Sequence, residues 1–372
     1  MKYYIIAGEA SGDLHASNLI SALKVQDAEA DFRAWGGDLM EAQGAKIVKH
    51  YRDLAFMGLF EVLANIRSIL HNISFCKQDI INWQPDVLIL VDYPGFNLRM
   101  AKFAHQKGIK VIYYISPKIW AWKKSRVFSI KKYVDKMLII LPFEKDFYAK
   151  YDYPVEYVGN PLVDALPKKP IDGDLFRKEN NLNDKPIIAL LPGSRKQEIE
   201  KMLVVMLKIV GDYPDYQFVI AGASAIENTL YNFIIDQRNV ALVIDKTHQL
   251  LLASEASLVA SGTATLEAAL LGIPEVVCYK MNSFTYQIGK LFVKIPFISL
   301  VNLIMGKEVV RELIQNEFNA GNLKIELNKI LFDTKKKSEI KNDYDELKLK
   351  VGEVGASEKA AGEIVHFLKL TI

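Results

Sequence analysis

Short, almost unbroken apolar runs alternate with helical patterns along this chain, and the alternation runs its course twice. In the first half the runs are 3–7, 32–35, 87–91, 110–115, 137–141 and 155–158, with helical spacing over 13–25, 59–82, 96–106 and 125–133. A strand that is apolar on both faces, such as Val87-Leu88-Ile89-Leu90-Val91, has to be covered on both. That leads to a parallel sheet with helices above and below, joined by right-handed crossovers. Residues 166–184 interrupt the pattern: they are rich in Pro, Lys, Asp and Asn and leave room only for a short helix over 174–180. The alternation then resumes, with strands at 187–191, 217–221, 240–244, 257–260 and 275–279 and helices at 197–210, 225–236, 247–254 and 263–271. From Glu308 onward the spacing reads as helices, the last over 357–370. The expected fold is α/β: two Rossmann-like parallel-sheet domains facing across a cleft, with C-terminal helices. The expected division is 1–165, a linker at 166–184, a second domain at 185–350, and a terminal helix in 351–372 that packs back on the first domain.

Composition removes several classes of function. Of 372 residues half are hydrophobic, and the formal net charge is +3. The chain is thus apolar enough to fold and too balanced for a dedicated nucleic-acid binder. Cys76 and Cys278 form no CxxC pair, and the six histidines show no HExxH spacing, so no metal centre is expected. Only five residues separate Met1-Lys2 from Gly8, too few for a secretory signal, and no run reaches the ~20 apolar residues that span a bilayer. A cytoplasmic protein is expected, with contact to a membrane surface left open. The helical stretch that begins near Met57 is apolar on more than one stripe. Met57, Leu59, Phe60 and Leu63 suit either a buried helix or a surface that takes acyl chains.

In doubly wound sheets ligands bind outside the carboxyl ends of the strands, so the residues that follow each apolar run matter most. The first run leads into Gly8-Glu9-Ala10-Ser11-Gly12-Asp13, where small residues at a helix start admit a ligand close to free N–H groups. A plain tight turn capped by Ser11 fits equally. Asp92 ends the 87–91 run and is placed either as a general base facing the cleft or as a cap of the next helix. Asn97 is either a cap or a sugar ligand. Leu191-Pro192-Gly193-Ser194-Arg195 offers a turn, a hydroxyl and a guanidinium to an anion. Ser261-Gly262-Thr263-Ala264-Thr265 is a second small-residue helix start, with Glu267 one turn in, suited to ribose hydroxyls. Both also read as ordinary capped helices. Trp120 and Trp122, followed by Lys123, Lys124, Arg126, Lys131 and Lys132, suit either packing and a solvated helix face or a sugar, acyl chain or anionic head group. No dinucleotide fingerprint is present.

Taken in order, GEASGD (8–13), DYPGFN (92–97), YISPKIWAW (114–122), LPFE (141–144), LLPGSR (190–195), ASGTATLE (260–267) and SLVNLIMGKEVVRELIQ (299–315) resemble the lipid-A-disaccharide synthase family over nearly the whole chain. The resemblance implies a GT-B glycosyltransferase with an acceptor-binding first domain and a UDP-sugar-binding second domain. It implies transfer of 2,3-diacylglucosamine from its UDP derivative to 2,3-diacylglucosamine 1-phosphate, with inversion, no metal and no other cofactor. Asp92 then matches the base, with Glu9 the alternative; Glu9, Ser11 and Asn97 lie on the acceptor side. Ser194, Arg195, Gly262, Thr263, Thr265, Glu267 and Asn302 fall to UDP, and the acyl chains or membrane to Met57, Leu59, Phe60 and Leu63. The implied partners are the two lipid sugars and the inner face of the cytoplasmic membrane, peripherally, with no nucleic acid. This sequence departs from the family pattern at Asn160, where a His is expected, at Val301 and Arg311, where prolines are expected, and at Gly95, which is Asp in some members. The alternatives are another UDP-sugar enzyme of the same fold, an epimerase or hexosyltransferase, and a non-catalytic nucleotide-sugar or lipid binder.

Overall fold

A computed structural model describes residues 1–54, 66–167, 171–224, 226–235, 240–282, 286–287 and 295–371. Met57, Leu59, Phe60 and Leu63 lie outside the described residues. The chain divides into two units, residues 1–164 with 353–372, and residues 165–352.

The sheet of the first unit contains β1 (Lys2–Ala7), β2 (Asp31–Gly36), β3 (Lys46–His50), β4 (Val87–Val91), β5 (Lys110–Tyr114), β6 (Lys136–Ile139) and β7 (Glu156–Tyr157). Their order is β3-β2-β1-β4-β5-β6-β7, and β1 pairs in parallel with both β2 and β4. Alternate residues of β1 feed two cores. Tyr3, Ile5 and Ala7 meet Leu19 and Leu23 of the helix Ala10–Gln26 and Ile364 and Leu368 of the helix Ala356–Thr371. Tyr4 and Ile6 meet Trp35, Phe96 and Met100 on the other face. Each such aliphatic side chain contributes ~1.5–3 kcal/mol by leaving water. The last helix belongs to this first unit, and the Asp164 carboxylate accepts from the N–H groups of Gly355 (2.6 Å) and Ser357 (3.2 Å) where the chain returns.

The second unit contains β8 (Ile187–Leu191), β9 (Gln217–Gly222), β10 (Val240–Ile244), β11 (Ser254–Ala260), β12 (Glu275–Tyr279) and β13 (Arg311–Ile314), in the order β10-β9-β8-β11-β12-β13. Part of the stretch read as a linker is folded into it. The helix Gly173–Glu179 is capped by Asp172 and places Phe176 in the core beside Ile187 and Val219.

Two edge strands depart from the sequence reading. β3 was not expected, because KIVKH holds only two apolar residues, with no period of its own, and is only half-buried at the edge. Residues 311–314 were expected to be helical and instead pair with β12, Cys278 opposite Leu313. Their short RELI pattern carries no period of its own, and the exposed apolar edge of β12 decides the outcome. In both sheets the strand order reverses once, between β1 and β4 and between β8 and β11. Loops diverge there, so the carboxyl edge at each reversal is the place for a ligand.

Candidate active site

In the first unit the reversal is built from the residues after β1 and β4. Gly8 is buried, and a Cβ there would come within 2.4 Å of the Tyr93 ring, so only glycine lets that ring lie across the turn. Glu9 then starts the helix Ala10–Gln26, with Glu9 and Ser11 exposed at its tip. Asp13 is buried and works elsewhere. Its carboxylate accepts from the N–H groups of Gly37 (2.7 Å), Leu39 (3.1 Å) and Met40 (3.2 Å), which ties the loop after β2 to the first helix.

Asp92 and Tyr93 both take left-handed backbone conformations, with φ of 42° and 46°, and Ile115 at the end of neighbouring β5 has φ of 66°. Non-glycine residues enter this region at a cost of ~1–2 kcal/mol each, and such strain gathers at functional sites. The conformation is held from below. The Asp92 carbonyl accepts from the Tyr113 hydroxyl (2.5 Å) and from Asn97 Nδ2 (2.8 Å), and Asn97 Nδ2 also reaches the carbonyls of Val91 (3.2 Å) and Ile6 (3.4 Å). Asn97 is thus fully buried under the turn, its amide nitrogen spent on the backbone.

This turn aims a half-buried carboxylate along the carboxyl edge. Burial pushes the Asp92 carboxyl up to about 6; the Lys118 ammonium opposes the rise, and the Glu9 carboxylate adds to it. A base with that proton affinity is ionised at neutral pH and strong enough to take a proton as it is released. Lys118 sits on the loop after β5, which is clamped from inside. The Ser116 hydroxyl and the Tyr148 hydroxyl share a hydrogen bond (2.8 Å), and Glu144 accepts from Trp120 Nε1 (3.2 Å) and from the Leu141 N–H (3.2 Å). Burial pushes the Glu144 carboxyl up to about 8.

In the second unit β8 ends in a turn through Gly193, whose φ of 107° few other residues tolerate. Ser194 and Arg195 are exposed, and Arg195 caps the helix Lys196–Met206 while its guanidinium lies 3.4 Å from Glu198. After β11, Gly262 caps the helix Thr263–Leu270. Gly262 and Thr263 are exposed, whereas Thr265 is buried and donates its hydroxyl to the Gly262 carbonyl (2.8 Å). Glu267 is half-buried and lies 3.3 Å from His248, a neighbour the sequence motifs did not point to. These residues occupy the β8/β11 reversal, where an anion would meet two helix starts and Arg195. The structure does not bring the Asn302 side chain to that edge. It is fully buried: its Nδ2 donates to the Val310 carbonyl and to Glu312, and its Oδ1 accepts from the N–H groups of Val309 and Val310. The same Glu312 accepts from the N–H groups of Ile298 and Ser299, so Asn302 and Glu312 together knit the loop that leads into β13.

Two doubly wound units with their polar residues gathered at the strand-order reversals define a GT-B protein, the class in which nucleotide-sugar enzymes are built. The solved structures similar to this chain bear out that fold. A UDP-N-acetylglucosamine 2-epimerase from Neisseria meningitidis, bound to UDP-N-acetylglucosamine, has a TM-score of 0.70 at 15% identity over 98% of this chain and 100% of that one. A glycosyltransferase from Rickettsia africae has a TM-score of 0.60 at 12% identity over 100% and 99% of the two chains. Sequence narrows the class. The lipid-A-disaccharide synthetase family profile matches residues 3–364. The lipid-A-disaccharide synthase of Myxococcus xanthus is 38% identical over 98% of this chain and 97% of its own, and that of Pseudomonas putida strain GB-1 is 37% identical over 98% of each. The chain belongs to the lipid-A-disaccharide synthetase family, and it is a glycosyltransferase.

Proposed function

We propose that the chain moves a 2,3-diacylglucosaminyl group from its UDP derivative to the 6-hydroxyl of 2,3-diacylglucosamine 1-phosphate, with Asp92 as the base. The acceptor oxygen attacks the anomeric carbon and its proton passes to Asp92. The bond from that carbon to the UDP oxygen breaks from the opposite side, so an α-linked donor gives a β-1,6 disaccharide 1-phosphate and UDP. Arg195, the Ser194 hydroxyl and the helix starts that follow Gly193 and Gly262 hold the diphosphate and take up its charge; donors placed in this way are typically worth ~2.7–4 kcal/mol each. Glu267 receives the ribose hydroxyls, and Glu9 and Ser11 meet the acceptor. Asn97 acts from beneath by fixing the backbone that aims Asp92. No step is assigned to a metal ion.

The observation that carries this reading is the Asp92 turn: a strained, supported carboxylate of raised proton affinity at the reversal of the first sheet. Both substrates carry acyl chains, which supports peripheral attachment to the inner face of the cytoplasmic membrane. The purified chain, given both diacyl sugars in detergent, should release UDP and the disaccharide at the same rate with and without a chelator. It should leave unacylated sugars untouched. Epimerisation of UDP-N-acetylglucosamine, or UDP release that ignores the acyl chains, would overturn the assignment.

A further inference from the structure

Between Asp92 and Asp135 the chain carries ten Lys or Arg residues and no Asp or Glu. A solvated helix surface ordinarily mixes the two signs, so an acid-free stretch of this length calls for a partner. The fold gathers it. The helices Pro94–Gln106 and Arg126–Tyr133 pack on each other, His105 edge-on to Tyr133, and both belong to the first unit. Arg99, Lys102, Lys124, Lys131 and Lys132 are exposed. Among the described residues none of the ten lies within salt-bridge distance of a carboxylate. Lys136, just beyond the stretch, does pair, with Glu363 at 2.6 Å.

Large apolar side chains stand among these charges. Trp122 is 49% exposed and Phe128 65%. Lys123 Nζ lies 4.5 Å from the Trp122 ring centre and the Arg126 guanidinium 5.5 Å. Unpaired cations around exposed aromatic rings match the boundary layer of an anionic bilayer, where the charges meet phosphates and the rings enter at the depth of the head groups. A nucleic acid would answer the charges and leave Phe128 without a partner. The stretch also starts at the catalytic turn, since the helix Pro94–Gln106 begins two residues after Asp92.

We propose that the surface of the helices Pro94–Gln106 and Arg126–Tyr133, with Trp122 between them, is the face by which this protein docks on anionic phospholipid. This rests on the proposed transfer between lipid substrates and adds to it that docking sets the Asp92 edge beside the layer that holds them.

The test is co-sedimentation of the full chain with phosphatidylcholine vesicles, with and without phosphatidylglycerol. Binding should require the anionic lipid and should be lost in high salt. Neutralising a cation at such a surface lowers binding on the order of fivefold. Lys123→Gln, Lys124→Gln and Lys131→Gln together should lower it on the order of a hundredfold. Lys335→Gln, Lys341→Gln and Lys348→Gln, on a helix of the second unit, should change little, and Trp122→Ala should weaken binding with every charge retained. Equal binding to neutral vesicles, an unaffected triple variant, or tighter binding to a DNA duplex than to anionic vesicles would overturn the proposal. Should the triple variant fail to fold, the salt and lipid dependence of the unaltered chain decides. Glycosyl transfer on detergent-dispersed substrates is measured alongside. Its loss in the unaltered protein would refute the reading of function, whereas turnover in detergent without anionic-lipid binding would refute only the docking face.

Discussion

Replacing Asp92 by asparagine should make the protein more stable and nearly inactive, and the size of the first effect follows from the site. Burial raises the Asp92 carboxyl from 3.8 to about 6, so the folded state resists its ionisation by about 3 kcal/mol. Solvent reaching the half-buried group reduces this to about 2 kcal/mol. The sign follows from proton binding. Between pH 4 and 6 the folded protein holds a proton that the unfolded chain has released, so stability falls as pH rises through that window and the full penalty stands above it. Asparagine keeps the shape and the acceptor for the Tyr93 N–H and never ionises. The variant should therefore match the parent at pH 4 and exceed it at pH 8 by about 2 kcal/mol, or ~4–8 °C in the transition of a unit of this size. Calorimetry across pH checks it, with UDP included so that retained nucleotide binding is read in the same series. Turnover should fall ~10²–10⁴-fold, and in the parent kcat/KM should drop about tenfold per pH unit below about 6. A variant no more stable than the parent at pH 8, or one that turns over normally, would refute the placing of the base.

Further changes separate chemistry from scaffold. Arg195→Ala should weaken UDP binding at least tenfold with little loss of stability, because its ion pair with Glu198 is exposed; titration calorimetry measures the binding and urea denaturation the stability. Asp13→Ala leaves the N–H groups of Gly37, Leu39 and Met40, at the start of the helix Asp38–Ala42, without their acceptor and should cost roughly 2–4 kcal/mol in urea denaturation. Asn302→Leu should be as destabilising, since four buried bonds are lost, and the remaining folded protein should bind UDP normally if the residue acts only on the loop into β13. Gly8→Ala drives a methyl into the Tyr93 ring and should reduce turnover more than UDP affinity, as resolved by steady-state kinetics beside direct binding.

Central strands were legible because burial on both faces leaves an apolar run with no polar interruption; β4, β8 and β12 fall on the residues expected. The edge strands β3 and β13 were not, since their side chains are partly open to water and their conformation is set by a neighbour far away in sequence, as β13 is by β12. The strand-end motifs fall at the two strand-order reversals, where small and hydroxyl residues let a tight turn lead straight into a helix start. Their individual roles were less accessible. Nothing in the residue type of Asp92 or Tyr93 announces two successive left-handed conformations, which are imposed by Tyr113 and Asn97 from below. The buried partners of Asn302, the backbone of Val309 and Val310 and the Glu312 carboxylate, are likewise not announced by its motif. The effect of Lys118 on Asp92 needs the loop clamped by Glu144 and Tyr148, a relation between strand ends that spacing does not contain.

The return of the last helix to the first unit has a consequence for how the protein is made. During translation the residues of the second unit form one continuous stretch, all of them synthesised before the helix Ala356–Thr371 leaves the ribosome. The nascent first unit waits with Leu19 and Leu23 lacking the cover of Ile364 and Leu368, a newborn apolar groove open to chaperones. A ribosome that stalls near residue 350 would therefore release a chain whose earliest-made half is the half left unfinished.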